Sequence, residues 1–251
     1  MFSIDNQITQ FEPISLDRMD EVKLLNRMDT KFAFSLAHLP GILSQLCSSY
    51  YILEIAGVRL HRYETLYFDT PGYSLYLKHH NKRLNRFKVR SRHYLASDLC
   101  YFEVKMKNNK GRTSKERNRH KGSQEVIAGK QAELLETNTK LIPEMLLPVL
   151  WVNFSRITLV NHEMSERVTI DTGLTFRNGS AEQAYPGVVI AEVKQERSQN
   201  SRFSEILHQA QIPKARISKY CLGVARLNPR VKQNNFKVKL LQLNLLNHDI
   251  C

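Results

Sequence analysis

Between residues 86 and 94 the chain reads RFKVRSRHY, with Arg86, Lys88, Arg90 and Arg92 at every second position. Strand side chains alternate with a period of two, so this stretch as a strand sets four cations on one face and Phe87 and Val89 on the other. The pattern recurs along the chain. RMDTKFAF (27–34) sets Arg27, Asp29 and Lys31 against Met28, Thr30 and Phe32, and YFEVKMK (101–107) sets Tyr101, Glu103, Lys105 and Lys107 against Phe102, Val104 and Met106. FSRITLV, RVTIDT and VVIAEVKQE repeat it later, with Arg156, Arg167, Asp171, Glu192 and Lys194 on the polar faces. Six or more antiparallel strands with helices in the gaps make an α+β sheet or barrel.

Two readings fit so basic a face: a solvated surface, or a surface completed by a bound anion. Cross-strand neighbours on an ordinary solvated sheet tend to mix signs, because like charges directly opposite repel. In a closed barrel the interior would be cationic, with apolar residues pointing outward beneath the helices. The totals agree with an anionic partner: 37 Lys+Arg against 24 Asp+Glu give a formal net charge of +13 over 251 residues. Hydrophobic content is 42 %, which suits a globular domain with a substantial core.

Cys47, Cys100, Cys221 and Cys251 are scattered, with no C-x-x-C pair, and read as free thiols in a reducing compartment. The first residues lack a basic segment followed by an apolar run, and no stretch approaches the roughly 20 apolar residues of a membrane helix. The expectation is a cytoplasmic chain. Helices are expected at 15–26, at 35–50 with Ser35 as a cap, over much of 124–150 up to Pro143 and Pro148, and from Ser201 to Gln211. TSKERNRHKG (113–122) reads as a basic extended segment or loop. His79 and His80 have no ligand-spaced partner and read as surface residues. Residues 1–228 form the expected domain, and 229–251 a basic, leucine-rich tail, either a docking helix or a disordered end.

Taken in order, these stretches resemble the VTC domain, the polyphosphate polymerase branch of the triphosphate tunnel metalloenzyme (CYTH-like) superfamily. RMDTKF resembles its first-strand Arg-x-x-x-Lys-aromatic motif, FKVRSRHY its basic strand, and YFEVKMK its Glu-x-Lys strand. TSKERNR is similar to its Lys-x-Arg stretch, FSRITL and RVTIDTGL to its paired strands, VIAEVKQE to its late metal-binding strand, and RISKYCLG to its closing Ser-Lys-Tyr motif. The wider superfamily's Glu-x-Glu-x-Lys opening strand is absent; Asp29 stands alone between Arg27 and Lys31.

The resemblance implies an antiparallel β-barrel with helices packed outside, enclosing a basic tunnel. It implies catalytic roles for Lys31, Arg90, Arg92 and Lys105, and for Arg167, Lys194 and Lys219. Arg27, Lys88 and Arg156 would add phosphate contacts, with Lys115 and Arg117 at the tunnel mouth. Glu192 is the implied ligand for Mn2+ or Mg2+, with Glu103 and Asp171 as further candidates. Asp171 equally suits a turn cap, and Glu103 equally suits an ion pair with a neighbouring cation. ATP and inorganic polyphosphate are the implied partners. The implied reaction transfers the γ-phosphate of ATP to a growing polyphosphate chain. Metal-dependent hydrolysis of a triphosphate and non-catalytic binding of polyphosphate or inositol phosphates are the alternatives. Nucleic acid is not expected, because aromatic residues do not interleave with the basic ones as a stacking platform.

Overall fold

The computed structural model describes residues 4–20, 27–122, 125–179, 181–196 and 201–249. Its strands are β1 (Glu12–Ile14), β2 (Arg27–Ser35), β3 (Tyr50–Leu53), β4 (His61–Asp69), β5 (Arg86–Tyr94) and β6 (Leu99–Lys107). They continue with β7 (Thr113–His120), β8 (Leu147–Asn161), β9 (Glu166–Asn178), β10 (Ala181–Tyr185) and β11 (Val188–Glu196). The helices are α1 (Ile4–Ile8), α2 (Leu16–Asp20), α3 (Leu39–Ser44), α4 (Ser74–His80), α5 (Lys130–Asn138), α6 (Arg202–Gln209), α7 (Lys219–Leu227) and α8 (Lys237–His248).

All the strands join one 11-stranded sheet whose main path runs β2-β11-β9-β8-β4-β5-β6-β7. Every pairing along that path is antiparallel. The path begins at β2 and ends at β7, and no hydrogen-bonded pairing joins those two strands among the described residues. The sheet is therefore curved but open. Register shifts at Tyr67/Phe68 and at Asn153/Ser155 mark where the long β8 bends, as bulges do. The curvature brings Asp29 and Lys31 of β2 to the same cavity as Lys105 and Lys107 of β6. The free edge of β2 is partly covered: the Ala215 N–H donates to the Lys31 carbonyl at 2.7 Å, and Phe32 bridges to Lys214.

Helices cover both faces. On the convex side Phe32, Phe34, Ile157, Ile170, Ala191 and Val193 pack with α1, α3 and α6. Leu66, Phe68, Val89, Phe102 and Val104 pack with Leu135 of α5. The expectation that apolar residues lie only on the outside is corrected at one end of the concave face. There Leu150, Val152, Phe154 and Phe176 meet Tyr220, Leu222 and Val224 of α7 and Leu240 and Leu243 of α8. α8 and the short 3-10 turn Asn234–Phe236 thus pack into the core that α7 shares with the sheet.

Other local expectations shift for identifiable reasons. Among the described residues of the 124–150 stretch only Lys130–Asn138 is α-helical; Pro143 opens a 3-10 turn, and Leu147 already starts β8. Proline lacks an N–H, and Pro148 sits at the register shift, where the ladder bond is not needed. Residues 113–120 form β7, paired along its length with β6. The 15–26 helix is described as α2 to Asp20, with 21–26 outside the described residues. His80 is not a surface residue, and His79 is half-buried at a cavity wall. His80 is buried against Phe236, and the His79 imidazole bonds the Phe87 carbonyl at 2.9 Å. Burial, then the nearby Lys88 charge, lowers the His79 pKa to about 3.

α7 lies so close to the sheet that a side chain at Gly223 has no room: a Cβ there would stand 2.6 Å from Leu150 Cδ2 and 2.9 Å from Phe176 Cδ1. Gly223→Val is expected to destabilise the fold by about 1–3 kcal/mol through overpacking. Urea unfolding of the variant measures this, and a midpoint equal to wild type would show that the contact is looser than described.

Candidate anion-binding site

Strand register sets the charges of the concave face. β5 and β6 oppose Arg90 to Glu103, β8 and β9 oppose Arg156 to Asp171, and β2 and β11 oppose Lys31 to Glu192. Each carboxylate is shared by two cations. Arg90 Nε donates to Glu103 Oε2 at 2.6 Å while Lys115 reaches Glu103 Oε1 from β7. Arg156 grips Asp171 with both ends of its fork, at 2.6 and 2.8 Å, and Lys219 of α7 donates to the same carboxylate. Lys31 Nζ donates to Glu192 Oε1 at 2.5 Å, and Lys194 Nζ stands 4.0 Å from Oε2. Each group keeps a surplus positive charge.

Glu103 is 1 % and Asp171 3 % exposed, so an unpaired charge on either would be costly. Burial pushes both pKa values up, but the cations outweigh it. Arg90, Arg92 and Lys115 hold the Glu103 carboxyl well below the usual range, and Arg156 and Lys219 hold Asp171 at about 2. The carboxylates stay ionised and clamp their cations.

Further cations on the face form no ion pair with a carboxylate among the described residues. Arg92 donates to Thr65 Oγ1 at 3.3 Å and lies over the stacked rings of Tyr63 and Phe154. Lys88 donates to Ser218 Oγ at 2.9 Å. Lys105 stands opposite Lys88 across the β5–β6 ladder, its pKa lowered by burial and then by Arg90 and Lys88. Tyr67 records the same field. Its burial opposes ionisation, yet the charges of Arg90, Arg92 and Lys88 pull its pKa below normal.

α7 aims its first turn at this face. Ser218 caps the helix, its Oγ accepting from the Cys221 N–H, and Lys219 occupies the first position. A cation there is disfavoured by the helix dipole, which Asp171 offsets and which a bound anion would offset further. Asp69 anchors the helix: it accepts from the Thr70, Leu75 and Tyr76 N–H groups and from the Tyr220 hydroxyl. Tyr220 stacks on Tyr67, which in turn accepts from Arg90 Nη1 at 3.2 Å.

The structure thus gathers Lys31, Lys88, Arg90, Arg92 and Lys105 with Lys115, Arg156, Lys194 and Lys219. Arg117 is exposed and lies over Tyr101. Arg167 turns toward α2, donating to the Met19 carbonyl at 2.8 Å and standing 3.9 Å from Asp20. The side chain of Arg27 lies outside the described residues. Ser218, Tyr67, Asp69 and Tyr220 are the members that alternation could not single out, because their roles come from where α7 docks.

The acids differ in their suitability for a metal. Both oxygens of Glu103 and of Asp171 are taken up by cations, so each acts as an ion-pair centre. Among the described residues the cation beside Glu192 Oε2 is Lys194, at 4.0 Å. No group of three or more His, Cys, Asp or Glu converges among the described residues. A hard divalent cation here would have one carboxylate, Glu192, from the protein and would draw its other ligands from phosphate and water.

Residues 26–228 match the family described as the VTC domain. A search of curated proteins found no relative. Among solved structures, the chain is similar to a putative adenylyl cyclase, HpAC1 from Hippeastrum, described as revealing a dominant triphosphatase activity. The TM-score is 0.46, with 18 % identity over 79 % of this chain and 96 % of that one. A conserved hypothetical protein from Pyrococcus furiosus gives a TM-score of 0.43, with 11 % identity over 78 % of this chain and 99 % of that one.

Replacing Glu103 by Gln leaves Arg90 and Lys115 facing each other without a counter-charge. The variant is expected to lose about 3–5 kcal/mol of stability, as broken buried pairs do. Tripolyphosphate should return part of the lost melting temperature. An unchanged melting temperature without ligand would show that Glu103 does not clamp this pair.

Proposed function

The chain belongs to the VTC domain family, and from that premise we propose that it is an ATP-dependent polyphosphate polymerase. The concave face would act as a basic tunnel, closed along the β2–β7 gap by residues 214–218 and by the bound chain. One observation carries the reading: three buried or half-buried carboxylates each hold two cations, while Lys88, Arg92 and Lys105 add charge without an ion pair of their own among the described residues. That surplus needs a polyanion, and a phosphate chain spreads its charges as these cations are spread.

In the proposed reaction the terminal oxygen of a polyphosphate chain attacks the γ-phosphorus of ATP. The new P–O bond forms as the bond from the γ-phosphorus to the β,γ-bridging oxygen breaks, and ADP leaves with the electron pair. Such transfer needs positioning and charge neutralisation more than covalent help from the protein. Arg90 and Arg156, locked by Glu103 and Asp171, present fixed guanidinium groups to the transferring phosphoryl group. Lys105, Lys194 and Lys219 neutralise charge along the chain, and the α7 N-terminus adds its amides. A Mg2+ or Mn2+ ion held by Glu192 and phosphate oxygens would neutralise charge on the leaving group.

Water in place of the chain terminus would make the same site a triphosphatase. Purified protein with ATP and Mn2+ or Mg2+ is expected to form acid-labile phosphate chains together with ADP. Free phosphate alone would assign the hydrolase, and binding without turnover would contradict both. Glu192→Ala is expected to lower metal-dependent turnover by about 10²–10³, the size seen for loss of one electrostatic stabiliser, while the fold persists. Turnover at the wild-type rate would remove Glu192 from the metal.

A further inference from the structure

α8 lies beyond residues 26–228, the span that matches the family, and it is apolar on two sides. Leu240 and Leu243 are buried in the core that α7 shares with the sheet, and Leu246 packs against them half-buried. The opposite side carries Val238, Leu241 and Leu245, which are 77, 62 and 68 % exposed. A helix that is apolar all round is one that is covered all round. The outer three are spaced i, i+3 and i+7, the spacing of a coiled-coil seam, so they form one stripe along two turns. Gln242 and Asn244 flank the stripe, and no charged residue falls within it.

The charges at the ends of α8 select the cover. Lys237 and Lys239 stand in the first turn, where the helix dipole disfavours cations, and that turn holds no acid. Lys239 turns inward over the Phe236 ring at 5.6 Å, while Lys237 is exposed beside the stripe. The complement of Lys237 is a negative group lying against the start of α8, such as the last turn of an antiparallel helix. α8 ends in such a group itself. Its last carbonyls form the negative end of the dipole, and Asp249, the one acid in residues 229–251, is the C-cap residue. A parallel copy would set Lys237 beside Lys237, and an anionic surface would face Asp249 with like charge. We propose that the outer stripe of α8 is a contact between two copies of this chain, paired antiparallel about a two-fold axis near Leu241. Val238 of one copy then meets Leu245 of the other, and each Lys237 lies beside the other copy's last turn.

Sedimentation of the full chain from about 1 to about 500 µM tests this. Two helical turns make a contact smaller than the roughly 1,200 Å² of a stable interface, so wild type is expected to dimerise with a midpoint on the order of 10–100 µM. Leu241→Glu/Leu245→Glu, at two exposed positions, is expected to raise that midpoint at least about tenfold and to keep the wild-type melting temperature. Val238→Glu alone should weaken association as well. Adding Leu245→Lys to it should tighten association again by about threefold or more, because antiparallel pairing brings the two new charges together and parallel pairing does not. Wild type that stays monomeric over the whole range overturns the proposal. So does a dimer that persists in Leu241→Glu/Leu245→Glu, or a Val238→Glu/Leu245→Lys variant no tighter than Val238→Glu. Monomeric wild type that sediments with vesicles of anionic lipid would assign the stripe to a membrane surface instead.

Discussion

A buried carboxylate shared between two cations is the unit from which this molecule is built. One cation comes from the opposing strand and the other from a further element: Lys115 from β7 joins Arg90 at Glu103, and Lys219 from α7 joins Arg156 at Asp171. Burial alone would neutralise these acids; the paired cations keep them ionised. In return each acid allows two positive groups to share a small region of low dielectric. A cation pair would otherwise lower its pKa values or separate, as Lys105 shows in having its own pKa lowered by burial and by Arg90 and Lys88. The carboxylates thus position the cations and leave a net positive face.

The fold serves this arrangement by curvature and by one docked helix. The bulges in β8 turn the sheet so that charges from both of its ends reach one cavity. α7 fills the apolar end of the concave face through Tyr220, Leu222 and Val224, and its capped N-terminus brings Ser218 and Lys219 to the charges. Asp69 joins the two tasks, bonding the N-terminus of α4 and the Tyr220 hydroxyl together. Packing and electrostatics therefore meet in one segment, 214–220, which also covers the free edge of β2.

Much of this was legible in the sequence because period-two alternation is local. Strands β2, β5, β6, β9 and β11, and the sides on which Lys31, Arg90, Lys105 and Glu192 lie, follow from spacing alone. What spacing cannot supply is register. Whether Glu103 meets Lys105 on its own strand or Arg90 across the ladder depends on hairpin geometry, and here Arg90 wins. The start of β8 was hidden for a related reason: Leu147–Val152 is a short apolar run that fits helix or strand equally, and Pro148 is tolerated only because of a bulge that no local signal marks. His79 and His80 looked like surface residues because the contacts that bury them, Phe87 and Phe236, are set by the docking of α4 and of the segment leading into α8. Ser218 stands in the Ser-Lys-Tyr stretch but outside any charge pattern, and Tyr67 too lies outside one; each matters through the cation it touches.

The most direct measurement is calorimetric titration of tripolyphosphate in alkaline buffers that differ in ionisation enthalpy, which counts the protons exchanged on binding. Burial lowers the pKa values of Lys105, Lys115 and Lys219, and a polyanion among them should raise those values again. Binding is therefore predicted to take up protons and to weaken as salt rises. Absent binding, or binding with no proton uptake and no salt dependence, would contradict a convergent cationic site.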